Sequence, residues 1–140
     1  MPGLSQTQGL VSGNFTEPLA PSFATYNFTG TPAATDQVFF VAPRAMRILA
    51  ISEVHSVAAG GASALQVVKD TGTSAPGAGT DLLQSTGFDL NGTANTVQTG
   101  SLTTTAADLS LAAGDRLSVD FANAIQSSAG VCVTVMMVPI

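Results

Sequence analysis

Charge is what this chain has least of. Only 9% of its 140 residues are Asp, Glu, Lys or Arg, against about 25% in ordinary soluble domains. The basic residues are four, Arg44, Arg47, Lys69 and Arg116, and the formal net charge is −5. Nucleic-acid binding rests on a stripe of cations that neutralises phosphates, which four scattered cations do not supply, so that class is excluded. One histidine and one cysteine are present; a metal centre needs several such ligands at suitable spacing, and none is expected. Cys132 has no second cysteine to pair with, so the redox compartment is not legible from it, and with no basic neighbour in sequence it reads as a small core or interface residue. Tryptophan is absent and Tyr26 is the single tyrosine, which weakens any reading as a sugar-stacking surface. No run approaches the roughly 18 apolar residues of a membrane helix. The first residues have neither a basic region nor a following apolar stretch, so no secretory signal is expected. The Asn-x-Thr triplets at Asn14, Asn27 and Asn91 then read as chance matches in a threonine-rich chain.

Helical periodicity is missing as well: no stretch keeps apolar residues at i, i+3, i+4 and i+7 for the length a stable helix needs. What fills the chain is a period of two. Residues 23–28, 37–42, 45–57, 64–70, 82–90, 96–102 and 131–138 read as strands, separated by Gly, Asn and Pro turns such as Asn91-Gly92. Residues 109–121 hold two alternating runs around Gly114-Asp115. Leu109 and Leu111 share one face of the first run, and Leu117, Val119 and Phe121 share one face of the second. This predicts an antiparallel hairpin, with Arg116, Ser118 and Asp120 facing out. The run 37–42 is apolar on both faces, so both are expected to be covered. About eight strands at regular spacing predict an all-β fold, a two-sheet antiparallel sandwich of jelly-roll type. A chain of this length buries roughly 68–70% of its unfolded surface, enough to fold without a disulfide or metal. Residues 1–22, rich in Pro, Gly, Ser, Thr and Gln, form either a floppy terminus or an extended N-terminal arm ordered against a partner, with Leu4, Leu10, Val11, Phe15 and Leu19 as its anchors. The β-domain spans 23–140.

Catalytic chemistry is sparse. Glu53 and His55 lie two apart on one predicted strand face and could act as an acid/base pair or half a metal site, but a surface ion pair flanking an interface is the simpler account. No serine lies in a Gly-x-Ser-x-Gly elbow, and no phosphate-binding glycine fingerprint occurs, so neither enzyme nor cofactor is expected. Asp115 is explained by its turn, and Asp120 by a polar contact with Arg116 on the outer face. In 45–57 the even positions Met46, Ile48, Ala50 and Val54 read as core. The odd positions place Leu49 and Ile51 between Arg47, Glu53 and His55, an apolar spot with a polar rim. Leu49, Ile51 and His55, together with Cys132 and Met136 on the weakly polar face of 131–138, are therefore the candidate interface.

The layout of Phe39-Phe40-Val41-Ala42-Pro43, the long strand, the Pro-Gly loop leading to Gly79-Thr80-Asp81-Leu82-Leu83, and Leu109-x-Leu-Ala-Ala-Gly-Asp-Arg-Leu is similar to that of small structural proteins of tailed bacteriophages. In size and character the chain resembles their jelly-roll capsid cement, or decoration, proteins, over roughly residues 37–140. The resemblance is one of layout and composition, and no functional residue is carried over from it. It implies a non-enzymatic virion protein, made in the host cytoplasm and bound to the capsid exterior. Its partners would be the major capsid protein and itself, as a dimer or trimer, without nucleic acid or membrane. The competing expectation is a phage fibre or baseplate module that binds a host glycan or receptor through Tyr26.

Overall fold

The computed structural model describes residues 20–28, 35–123 and 127–140. The proposed anchors Leu4, Leu10, Val11, Phe15 and Leu19 lie outside the described residues. The described chain is built of strands without a helix: β1 (Ser22–Phe28), β2 (Gln37–Val41), β3 (Met46–Val54), β4 (Ala64–Asp70), β5 (Thr80–Asp81), β6 (Phe88–Asp89), β7 (Gln98–Thr99), β8 (Ser110–Leu111), β9 (Arg116–Ala122) and β10 (Val131–Pro139). They form two five-stranded antiparallel sheets. One runs β1-β10-β3-β7 with β8 also on β3, and the other runs β2-β9-β4-β5 with β6 also on β4. The expected all-β sandwich is what the chain forms. No described helix is long and apolar enough to cross a membrane.

The alternation in β10 explains its central place. Val131, Val133, Val135 and Met137 are buried on one side, while Cys132, Thr134 and Met136 are half-buried on the other. Facing them from the second sheet are Leu65 and Val67 of β4 and Leu117, Val119 and Phe121 of β9. Burying a side chain of this size contributes about 1.5–3 kcal/mol. Tyr26 and Phe28 of β1, Phe39 of β2 and Phe121 of β9 close one end of this core, with Tyr26 5.8, 5.9 and 6.3 Å from the other three ring centres.

Residues 109–121 do not form the expected hairpin. β8 pairs with Met46 and Arg47 of β3 in the first sheet, whereas β9 lies between β2 and β4 in the second. The turn chemistry is as expected: Gly114 has φ 91°, and the Asp115 carboxylate accepts from the Ala112 N–H at 2.8 Å. Its backbone, however, is tied to the start of the 42–45 connection, with Gly114 N–H donating to the Ala42 carbonyl and Ala42 N–H to the Asp115 carbonyl. Leu111 and Leu117 thus enter one core from opposite sheets. A corner that switches sheets shows the same period of two as a hairpin, so the pattern alone did not separate them.

Two other expectations change. β2 is the edge of its sheet, and Val38 and Val41 are exposed, so the apolar run is not covered on both faces by the described residues. The predicted strands at 82–90 and 96–102 shrink to the short β6 and β7, plus a bridge between Leu83 and Leu102, and the short β5 lies just before them. Gly87, at φ 84°, passes directly over the Leu65 carbonyl, where any Cβ would collide with backbone.

Candidate functional site

The sandwich has two outer faces, and the chain covers one of them itself. On the β9–β4 face, Gln66, Val68, Asp70 and Ser118 point away from the core and are nevertheless buried. The loop 71–79 folds across Asp70 and Ser118, while Gln66 is held by the backbone of Leu83. Gly77 N–H donates to Asp70 and to the Ser118 hydroxyl, Gly79 N–H donates to Asp70 at 3.0 Å, and Ser118 Oγ donates to the same carboxylate. Arg116 anchors the loop by donating to the carbonyls of Gly72 and Ser74. Arg116 and Asp120 were expected to contact each other; Arg116 is occupied by the loop instead. Asp120 lies nearer Asp36 and Asp81, and partial burial, reinforced by their negative charges, raises its carboxyl above the ordinary range.

The outer face of β1, β10 and β3 has no such cover among the described residues. Cross-strand register sets its rows: Phe23, Met136 and Ala50; Thr25, Thr134, Ser52 and Thr99; Asn27, Cys132 and Val54. None of these residues is charged. Arg47, beside Val138, marks one end. Phe23 is 61% exposed and Leu49 43% exposed, next to half-buried Met136. The result is an uncharged face with an apolar end made by Phe23, Leu49, Ala50 and Met136, grading into hydroxyls.

A bulge in β3 decides which residues belong to it. Met136 is paired with Ala50 but Met137 with Ile48, leaving Leu49 as the extra residue. Before the bulge the core residues are Met46 and Ile48; after it they are Ile51, Glu53 and His55, and Val54 turns outward. The structure therefore corrects the predicted face. Leu49, Cys132 and Met136 lie on the outer side, whereas Ile51 and His55 are fully buried inside the sandwich. Ala50 and Val54, read as core, belong outside. A strict period of two fails in a strand with one residue too many. The signal was present in the sequence, since Met46 and Ile48 sit out of phase with Ile51 in a single apolar run. Phe23 and Ala50, which complete the apolar end, were missed because their cross-strand neighbours are set by pairing alone.

Glu53 and His55 are not a surface pair. His55 Nδ1 lies 3.0 Å from Glu53 Oε1, and both side chains are sealed from solvent. Nε2 is 3.2 Å from the Gly92 carbonyl, which can only accept, so that nitrogen carries a proton. One further proton lies between Nδ1 and the carboxyl group. Gln98 Nε2 donates to Glu53 Oε2 at 2.7 Å and to the Asp89 carbonyl at 2.8 Å, and its Oε1 accepts from Asp89 N–H. Burial pushes the Glu53 carboxyl above its ordinary value, an effect that the His55 and Gln98 hydrogen bonds oppose and the Asp89 charge reinforces. The arrangement clamps β3 to the 89–98 segment. Tyr26 is likewise 4% exposed, with burial pushing its hydroxyl up to about 12, so it offers no stacking platform for a sugar.

No family model matches the chain, and no curated protein matches it. Among solved structures it is similar to a chain in a structure of infectious bursal disease virus, Gx strain, with a TM-score of 0.43 and 10% sequence identity. The match covers 87% of this chain and 33% of that one, so the present chain spans about a third of its length. At that level of similarity neither a family nor an activity follows.

Proposed function

We propose that this chain is a non-enzymatic structural protein of a phage virion. In this reading it binds the outside of the capsid and reinforces contacts between major capsid proteins. The observation that carries the proposal is the uncharged face over β1, β10 and β3, with its apolar end at Phe23, Leu49 and Met136. Burying such a face desolvates no unpaired charge as long as Arg47 at its end stays in solvent, and its apolar area contributes about 25 cal/mol per Å² before ordering costs. A sparsely charged surface is a weak defence against association, which suits a protein held against neighbours. Many copies on a shell let individually weak contacts add. The strand order supports reading the sandwich as a jelly roll: β1, β2, β3 and β4 alternate between sheets, and β9 and β10 return between them.

Cryo-electron microscopy of assembled particles tests the proposal directly. The natural chain is expected on the shell exterior with its β1–β10–β3 face against capsid protein. The pair Leu49→Asp with Met136→Asp, which leaves the core untouched, is expected to lower occupancy at least about tenfold, equivalent to ~1.4 kcal/mol. Particles that lack the chain, or that keep it at full occupancy with both aspartates in place, would overturn the reading.

A further inference from the structure

The two sheets have four lateral edges, and three of them are blunted. β7 and β8 offer two residues each, and so do β5 and β6. β2 is five residues long and breaks register between Val38 and Phe40. Short strands, bulges, prolines and lysines are the devices by which sheets avoid pairing with other chains. β1 has none of them. Its seven residues, Ser22-Phe23-Ala24-Thr25-Tyr26-Asn27-Phe28, contain no charge and no proline, and their register on β10 is unbroken from Ser22–Met137 to Phe28–Val131. Among the described strands only β10 pairs with it, which leaves its other side without a strand partner.

We infer that the free edge of β1 is a self-association surface, at which β1 of a second copy pairs antiparallel about a two-fold axis at Thr25. The strand is its own complement in this register. Thr25 meets Thr25 of the second copy, Phe23 meets Asn27, and on the inner side the small Ala24 meets the large Tyr26. No charge faces another across the seam, although each copy carries a net charge of −5. The acids Asp36, Asp81 and Asp120 lie near one another at the other sheet. The hydroxyl row Thr25, Thr134, Ser52 and Thr99 continues across the axis into its counterpart. The two-fold stands perpendicular to the sheet, so both uncharged faces end on the same side. The inference goes beyond the virion reading and does not depend on it.

The test is the solution mass of the full chain, without capsids, by light scattering across a concentration series. A dimer is expected. Thr25→Lys combined with Asn27→Lys adds charge to exposed positions of the edge strand and is expected to give monomer. Ser52→Lys, in the same row but two strands inward, keeps the dimer. Amide exchange on the natural chain gives a second readout: protection of residues 22–28 rises with concentration. A monomer at all concentrations, a closed trimer, a dimer that survives the two lysines, or one that Ser52→Lys disrupts equally would each overturn the inference. So would concentration-independent protection of 22–28.

Discussion

Leu49 and Ile51 are two positions apart and, in a regular strand, would share a face; here they lie on opposite sides of the sheet. Ile51 is fully buried, and Leu49 is 43% exposed. Leu49→Asp is therefore expected to fold with a stability change within roughly 1 kcal/mol, as for other surface substitutions. Ile51→Asp places a carboxylate in the core and is expected to lose several kcal/mol or fail to fold. Urea titration of the two variants side by side checks this; equal effects would mean that the two residues share an environment. Glu53 gives a second residue-scale prediction. Glu53→Gln preserves the contacts, because its amide N–H can donate to His55 Nδ1 while its oxygen accepts from Gln98. The folded protein holds the Glu53 proton more tightly than the unfolded chain does. The stabilisation tied to that proton is thus complete below the ordinary glutamate value and is lost as pH rises through the folded value. Thermal midpoints from pH 4 to 8 are expected to shift in favour of Glu53→Gln as pH rises. A constant difference between the two proteins would contradict the account.

At the scale of elements, the β3 bulge sets the phase of the sheet. Its single extra residue lets Met46 and Ile48 on one side, and Ile51, Glu53 and His55 on the other, reach the same core. Deleting Leu49 restores a strict period and forces one of these groups outward, since a one-residue slip turns every side chain over. The deletion is expected to lose the dispersed amide NMR spectrum of the folded chain, whereas Leu49→Ala retains it. A well-folded deletion variant would show that β3 tolerates either phase. The connection at 112–115 teaches a related lesson. Gly114-Asp115 dictates a turn wherever it sits, but whether the turn closes a hairpin or passes between sheets is decided by what β8 and β9 find to pair with. β8 finds the edge of β3 left open near Met46, and β9 finds the gap between β2 and β4.

For the whole molecule, the asymmetry between the two outer faces matters most. The loop 71–79 covers Asp70 and Ser118 on one face and supplies them with backbone donors. The other is left open by the described residues, an uncharged surface flanked by the uninterrupted edge strand β1, and both proposals, capsid contact and self-association, draw on that side. Low charge, small residues and period-two alternation were legible in the sequence and determined an all-β sandwich, the inward side of β10 and β9, and the outward positions of Cys132 and Met136. These are local properties, because each strand carries its own alternation and burial follows from it. Tertiary structure decided what alternation leaves open: the bulge that buries Ile51 and His55, the sheet each short strand joins, the face a loop covers, and the neighbours of Phe23. Those outcomes depend on contacts between residues far apart in the chain, where register and pairing, rather than the pattern of any one segment, set which side chain meets which.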